Sequence, residues 1–495
     1  MTQSLTLTLG GNTDGQVALN LAMANRHGLI AGATGTGKTV SLQILAEGFS
    51  RNGVPVFMAD VKGDLSGLSA SGTPHKKIDE RLATIGIHNY QQRAYPAVFW
   101  DLYGKKGHPV RATLSDFGPM LLASFLDLND TQTTVLYTAF KVADDEGMLM
   151  LDLKDLTAML NWLKDQRKEL EDAYGGISPA SVSAIRRKLL ALEEQGGDRF
   201  FGEPALELND LMKTDFNGNG VINILDATQL IHEPRLYAIF LLWMISELFE
   251  QLPEVGDAEK PQMVFFFDEA HLLFNNAPKS LLEKIDQVVR LIRSKGVGIY
   301  FISQSPGDIP ESVLGQLGNR IQHALRAFTP KDKQAVRVAA QTFRANPAFS
   351  TEDAITCLGV GEALISVLDN KGSPTVVQQV LVVPPESRMG PLNEEERNQC
   401  LARSPYKGRY DEVLDRESAY EQLKVRSEIK IAQAEAQLEA GKRVEQGKAR
   451  SQSSGHSRQL QGIFEAMAKS VVRSIGSSLG RRIARGLLGT ITGKR

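Results

Sequence analysis

The chain has 495 residues, of which 42% are hydrophobic and 23% are charged, and its formal net charge is −2. These values are typical of a folded globular protein and exclude a strong overall field that would by itself attract nucleic acid or membranes. Cys357 and Cys400 are isolated in the sequence, which argues against a disulfide or a zinc site. The N-terminus lacks a signal peptide, and the longest apolar stretch, Leu236 to Ser246, is too short to cross a bilayer, so we expect a cytoplasmic protein.

The first strong pattern is a glycine-rich loop between an apolar run at 27–31, predicted as a buried strand, and a stretch at 40–49 with helical spacing. The loop matches the phosphate-binding pattern G-x-x-x-x-G-K-[ST], in which backbone N–H groups close around the β-phosphate. We expect Lys38 to reach the β- and γ-phosphates and the Thr39 hydroxyl to ligate Mg²⁺. A chance match in a glycine-rich turn is the alternative. The predicted nucleotide-binding residues are Gly32, Ala33, Thr34, Gly35, Thr36, Gly37, Lys38 and Thr39.

A second buried strand is predicted at 54–59, and it ends in the polar turn at 60–64, with the sequence Asp-Val-Lys-Gly-Asp. Open α/β sheets bind ligands at the carboxyl ends of their strands. Asp60 and Lys62 could therefore face the same crevice as the phosphate loop, although an ordinary surface turn would explain them equally well.

Strands and helices alternate along much of the remaining chain. From 115 to 212 the pattern is helical, which predicts an all-helical insertion in an α/β domain. Alternating elements with a phosphate loop after the first strand favour a mainly parallel sheet covered on both faces. The further predicted strands are 97–100, 110–114, 220–226, 263–267, 297–302, 321–328, 363–368 and 376–383, with helices after 226 and at 279–294.

Two of these strands end in residues suited to catalysis. The apolar run at 263–267 precedes Asp268 and Glu269, which is the Walker B arrangement. We expect Asp268 to hold Mg²⁺ through its water shell and Glu269 to act as general base for the attacking water. The alternative is a capping pair at the start of a helix. Gln304 follows another strand and is suited to sensing the γ-phosphate, with a plain strand-end turn as its alternative, and His271 could contact nucleotide or simply be structural.

The character of the chain changes after residue 385. Interleaved acidic and basic residues predict a solvent-exposed helical region rich in charged residues, followed by a short flexible linker. The final segment carries seven Lys or Arg residues against the single acid Glu465, with apolar residues at helical spacing, which predicts a basic amphipathic helix. The predicted organisation is an ATPase core in two parts at 1–114 and 213–385, a helical insertion at 115–212, a charged helical region at 386–450, a linker at 451–459 and a basic tail at 460–495.

The motifs in combination carry a family resemblance. They are the phosphate loop, the turn at 60–64, Asp-Glu-Ala-His at 268–271, and Arg-Ser-Lys-Gly-Val-Gly at 293–298 leading into Ser-Gln-Ser-Pro at 303–306. Together they resemble the HerA/FtsK group of motor ATPases and, more closely, the DUF853 family of HerA C-terminal-like proteins. The resemblance implies a RecA-like domain that forms hexameric rings, hydrolyses ATP between subunits and moves DNA or polypeptide through the central channel.

The resemblance also implies roles for residues, with ATP and Mg²⁺ as the cofactors. Gln304 would be the sensor beside the Walker B pair, and an arginine acting on the neighbouring subunit would be Arg290, Arg293 or Arg320, because a guanidinium spreads positive charge over the γ-phosphate. HerA proteins carry a β-barrel domain before the ATPase, whereas 31 residues precede the phosphate loop here. The partner that the barrel engages is therefore not implied for this chain.

Other functions remain open from the sequence. An ATPase that remodels protein or acts at a membrane surface would use the basic tail for anionic lipid. The same tail could bind DNA, support oligomerisation, or be disordered without a specific partner. A GTP switch would normally show Asn-Lys-x-Asp, but the nearest segment, at 370–373, lacks the acid. A DEAH-box helicase would need a second nucleotide-binding lobe, which the sequence does not show.

Overall fold

The computed structural model describes residues 5–256, 258–275 and 279–451. Its contacts divide the chain into two compact units, Met1–Leu423 and Lys424–Arg495. The first unit contains the sheet, and the second is helical as far as it is described. Most of the predicted linker and all of the predicted basic tail lie outside the described residues.

Within the described ranges, twelve strands form one sheet. Numbered in chain order, they are β1 (Thr6–Asn12), β2 (Gly15–Asn20), β3 (Gly28–Ala31), β4 (Val56–Asp60), β5 (Ala97–Asp101), β6 (His108–Pro109), β7 (Ile222–Asp226), β8 (Met263–Phe267), β9 (Val297–Ser303), β10 (Asn319–Gln322), β11 (Glu362–Ser366) and β12 (Gln378–Val382). Their order across the sheet is β2-β1-β12-β11-β10-β3-β9-β8-β4-β7-β5-β6. The strands from β10 to β6 are parallel, and those from β2 to β11 add antiparallel, which confirms the predicted, mainly parallel α/β fold.

Helices cover the sheet and fill the region between β6 and β7. In chain order, the helices of the described ranges are α1 (Lys38–Arg51), α2 (Lys76–Ile85), α3 (Leu114–Phe125), α4 (Asp130–Glu146), α5 (Leu153–Asp165), α6 (Arg167–Tyr174), α7 (Pro179–Glu194), α8 (Gly197–Phe200), α9 (Leu208–Leu211), α10 (Pro234–Gln251), α11 (His271–Phe274), α12 (Lys279–Ile292), α13 (Glu311–Leu314), α14 (Pro330–Gln341), α15 (Thr351–Cys357), α16 (Glu394–Arg403) and α17 (Ala419–Ser451). The helices α3 to α9 occupy most of the stretch predicted as an all-helical insertion. None of the helices in the described ranges combines the length and hydrophobicity that a bilayer span requires.

The central strands are buried on both faces. On β8, Phe265 and Phe267 enter one core, which α10 covers, whereas Val264 and Phe266 enter a second core, which α1 covers. Successive side chains of a strand point to opposite faces, so a strand covered on both sides needs a continuous apolar run. The sequence of β8 therefore lacks alternation of apolar and polar residues, and its continuous apolar run still predicts a strand.

The hairpin of β1 and β2 was not predicted from the sequence. Its alternation is interrupted by glycines and by a bulge between Thr8 and Gly10. In the structure, β1 pairs with β12, and Leu7 packs in the core beneath α1. The close approach requires a glycine at position 48 of α1, because a Cβ there would overlap the Leu7 side chain.

One predicted strand is wrong, and a second ends earlier than predicted. The run at 110–114 is not a strand, because the chain leaves β6 and Thr113 caps α3 by accepting a hydrogen bond at its N-terminus. The strand predicted at 321–328 stops at the end of β10, because the chain then turns along the phosphate loop. There the Ala33 N–H donates to the Ala324 carbonyl oxygen at 2.8 Å.

Buried polar contacts fix the chain after β12 to α1. Glu47 of α1 accepts hydrogen bonds from the backbone N–H groups of Glu386 and Ser387, each at 2.9 Å. Burial raises the pKa of Glu47 to about 7. Glu386 also pairs with Arg51 at 2.6 Å. The first compact unit therefore continues past the predicted boundary at residue 385.

Candidate nucleotide-binding and catalytic site

The predicted phosphate loop connects β3 to α1 at the carboxyl edge of the parallel strands. Gly32 has a φ of 154°, and a Cβ there would lie 2.5 Å from Cβ of His323, so glycine is required. The Thr36 carbonyl oxygen accepts the Gly361 N–H at 3.0 Å, which anchors the middle of the loop. The N-terminus of α1 directs its unpaired N–H groups and the positive end of its dipole into the loop, as an anion site requires.

His323, the residue after β10, supports the loop and was not predicted from the sequence. Its Nδ1 lies 2.9 Å from the Glu362 carbonyl oxygen and its Nε2 lies 2.8 Å from the Ser41 hydroxyl. Because a carbonyl oxygen can only accept, Nδ1 carries the proton. Burial lowers the pKa of His323 to about 4, so the ring is neutral near pH 7 and Nε2 accepts from Ser41. A single histidine after a strand gives no sequence signal for this role.

Lys38 lies at the first turn of α1 and points back into the loop. Its Nζ donates to the carbonyl oxygens of Gly32 at 2.6 Å and Ala33 at 3.1 Å. Burial and, next, the positive charge of Lys62 lower the pKa of Lys38. A buried ammonium at this position is a strong point charge for phosphate oxygens, because little water screens it.

The turn after β4 contacts the phosphate loop through Asp64. The Thr39 hydroxyl donates to Asp64 Oδ2 at 3.4 Å, which leaves its oxygen lone pairs available for a metal. Asp60 is buried and accepts the backbone N–H groups of Gly63 at 2.7 Å and Leu65 at 3.0 Å, so it shapes the turn. The sequence singled out Asp60 here, but Asp64 is the acid that reaches the predicted metal ligand.

The Walker B pair lies at the end of β8. Asp268 is buried, and burial raises its pKa to about 6 against the opposing charge of Lys62. Its Oδ1 accepts the N–H of Glu269 at 2.9 Å. Glu269 has a φ of 47°, in the left-handed region that a residue with a side chain enters at a cost of about 1–3 kcal/mol. Such strain concentrates at functional sites, and here it accompanies the predicted general base.

Glu269 is surrounded by polar side chains from three elements. Its Oε1 lies 2.7 Å from Lys62 Nζ, and its Oε2 lies 3.3 Å from His271 Nδ1 and 3.4 Å from Gln304 Nε2. Burial opposes ionisation, but the hydrogen bond and charge of Lys62 outweigh it and leave the pKa of Glu269 lowered. The carboxylate is therefore ionised near pH 7, as a general base must be.

Strand order explains how these residues meet. β9 lies between β3 and β8, so Gln304 emerges between the phosphate loop and the Walker B pair. The loop approaches this strand directly, because the Gly32 N–H donates to the Ser303 carbonyl oxygen at 3.3 Å. The structure thus brings Lys38, Thr39, Glu269 and Gln304 to one edge of the sheet.

The oxygen donors at this edge suit Mg²⁺. Thr39 and Asp268 offer a hydroxyl and a carboxylate, whereas no cluster of three or more His, Cys, Asp or Glu side chains forms a complete metal cage in the described ranges. Mg²⁺ is usually held by one or two protein oxygens together with phosphate oxygens and water. The residues present therefore fit a magnesium ion that arrives with a nucleotide.

The candidate arginines lie away from this edge. Arg293 follows α12 and precedes β9, and Arg320 is at the start of β10, so both belong to the amino edge of the sheet. Arg290 pairs with Asp286 one turn earlier on α12 at 2.7 Å. Arg320 is largely buried and donates to the carbonyl oxygens of Leu317, Thr342 and Leu314.

Comparisons with curated proteins give two distant relatives. They are the proteins described as DNA double-strand break repair helicase HerA from Sulfolobus acidocaldarius, 20% identical over 378 residues, and from Saccharolobus solfataricus, 23% identical over 358 residues. The matches cover 72% and 71% of this chain and 65% and 63% of those relatives. The chain thus spans just under two thirds of the length of the curated relatives it matches.

Solved structures support the fold. The plasmid coupling protein TrwB, in complex with a non-hydrolysable GTP analogue, aligns with a TM-score of 0.52 and 15% identity, covering 80% of this chain and 92% of that chain. An unbound form of TrwB aligns with a TM-score of 0.50. Residues 6–495 match the family described as Helicase HerA-like C-terminal. The predicted family is confirmed, and the chain belongs to this HerA-like family of P-loop ATPases.

Proposed function

We propose that the protein is an ATP-hydrolysing motor that assembles into a ring and translocates DNA. The observation that carries the proposal is the meeting of Lys38, Thr39, Asp268 and Glu269 at one sheet edge. Both curated relatives are named as DNA repair helicases, which supports DNA as the substrate.

Each residue of the site would have a distinct role in hydrolysis. Lys38 and the loop N–H groups would bind the phosphates, and Thr39 and Asp268 would hold Mg²⁺, which neutralises charge on the β- and γ-phosphate oxygens when bound. Glu269 would accept a proton from the attacking water at a carboxylate oxygen. Gln304, beside that carboxylate, would orient the water. TrwB binds a GTP analogue, so ATP and GTP should both be assayed as substrates.

The decisive experiment is nucleotide hydrolysis with and without DNA, together with the mass of the assembly. We expect turnover to rise severalfold with single- or double-stranded DNA at low salt, and this effect to decline as salt screens phosphate contacts. We expect six copies of the 54.2 kDa chain in solution. An active monomer that is indifferent to both kinds of DNA would refute the ring motor.

The arginine acting in trans can be identified by comparing three alanine variants. We expect Arg320→Ala to lower Tm by several degrees, because three carbonyl oxygens lose a charged donor. The trans arginine should instead be Arg290 or Arg293, recognised by a loss of turnover at unchanged Tm. Mixing that variant with Glu269→Gln subunits should restore activity at the interfaces that combine an intact base with an intact arginine. If no variant behaves in this way, the assignment to these arginines fails.

An ATPase that acts on protein or at a membrane surface is the alternative. The sequence of the basic tail supports it, because cationic residues alternate with apolar ones at helical spacing. Co-sedimentation with anionic liposomes, using the full chain and a chain ending at Ser457, distinguishes lipid binding by the tail from the DNA motor.

A further inference from the structure

The turn at 60–64 contacts both halves of the candidate site. Asp64 accepts the hydroxyl hydrogen bond of Thr39, and Lys62 Nζ lies 2.7 Å from Glu269 Oε1 and 3.8 Å from Asp268 Oδ2. A five-residue turn therefore links the predicted metal ligand of the phosphate loop to the predicted general base, which lies more than 200 residues further along the chain.

The position of Lys62 is set by backbone structure. β4 is the immediate parallel neighbour of β8, with Ala59 opposite Phe267, so the two strands end side by side. Asp60 then holds the turn through the N–H groups of Gly63 and Leu65. The side chain of Lys62 is anchored at its base, while 35% of its surface remains exposed, so its ammonium can move without moving the strand.

We propose that Lys62 is a positioning residue that holds Glu269 in a resting arrangement and must release it before water is activated. This inference rests on the proposed ATPase function. The ammonium contacts Oε1 of Glu269, while His271 and Gln304 contact Oε2. A water molecule that is to donate a proton to Glu269 must compete with these contacts.

Release of Lys62 has an electrostatic cause within the same site. Phosphate oxygens carry more negative charge than a carboxylate and attract an ammonium in a partly buried cleft. Lys38 is buried and held by loop carbonyls, whereas Lys62 is partly exposed on a flexible stem. Of these two lysines, Lys62 is thus the one that can exchange a carboxylate partner for another anion.

The test compares Lys62→Met with Lys106→Met. Lys106 is a matched control, because it lies at the same sheet edge, pairs with Asp226 at 3.3 Å and has 46% of its side chain exposed. For Lys62→Met we expect basal kcat to rise about threefold or more with KM for ATP unchanged, and the ratio of DNA-stimulated to basal turnover to fall. Lys106→Met should match the wild type in basal kcat, in KM for ATP and in the ratio of DNA-stimulated to basal turnover.

A second measurement does not depend on turnover. Tm is compared for Lys62→Met, Glu269→Gln and the double variant without nucleotide. Each single substitution removes the ion pair between Lys62 and Glu269. If this pair forms in the protein without nucleotide, the Tm shift of the double variant will therefore differ from the sum of the two single shifts.

An unchanged or lower kcat in Lys62→Met, or additive shifts in Tm, would overturn the inference while leaving the ATPase proposal intact. A wild-type protein that hydrolyses neither ATP nor GTP would refute the proposed function itself.

Discussion

Replacement of Lys38 by alanine is expected to abolish measurable hydrolysis and to weaken ATP binding roughly 100-fold or more, since losing a buried charge–phosphate contact costs about 3 kcal/mol. The physical reason is the location of the Nζ atom, which lies inside the loop, 2.6 Å from the Gly32 carbonyl oxygen, where water screens it poorly. Binding is measured with a fluorescent nucleotide in the presence of Mg²⁺.

The matched control is Lys77→Ala, which removes an exposed lysine of α2. This control should bind nucleotide as the wild type does. A Lys38→Ala variant that binds ATP with wild-type affinity would contradict the assignment of the loop. Circular dichroism and Tm should be measured for both variants to check that they are folded.

Replacement of Glu269 by glutamine is expected to separate binding from chemistry. Glutamine keeps the size of the side chain but cannot take a proton from water, so kcat should fall roughly 10²- to 10⁴-fold, the usual contribution of a general base. Affinity for ATP should stay within about threefold of wild type, because the phosphates are bound by the loop and Lys38. Steady-state hydrolysis and direct nucleotide binding measure the two quantities.

Glu283→Gln provides the control for this substitution. Glu283 lies on the exposed surface of α12, in an i,i+4 pair with Lys279, and its replacement should leave both kcat and affinity unchanged. A fall in kcat of less than about tenfold for Glu269→Gln would show that another group activates the water.

The parts of the site that the sequence predicted share one physical property. The strand β3, the loop and α1 are consecutive in the chain, and β8 is buried on both faces, so each appears as a local pattern. Asp268 and Glu269 were predicted because they follow a continuous apolar run in a chain that also contains the phosphate loop. Local patterns of this kind need no information about which strands pair.

The parts that the sequence missed depend on strand order. Nothing local indicates that β4 borders β8, so the ion pair of Lys62 with Glu269 was not foreseen, although Lys62 had been noted in the turn. The role of His323 in supporting the phosphate loop was not predicted for the same reason, because it depends on the pairing of β10 with β3. Likewise, the buried contacts of Glu47 with Ser387 join residues 340 positions apart and hold the chain after β12 to the core.

The hairpin at the start of the chain affects the design of truncated proteins. Leu7 fills the space beneath α1 that Gly48 leaves open, so residues from the first strand form part of the support for the helix whose N-terminus binds phosphate. A deletion that starts the protein at β3 would remove this support and expose the edge of β12 to intermolecular pairing. If such a fragment fails to bind nucleotide, the cause would be the lost packing beneath α1. The result would not define which residues the ATPase domain needs for catalysis.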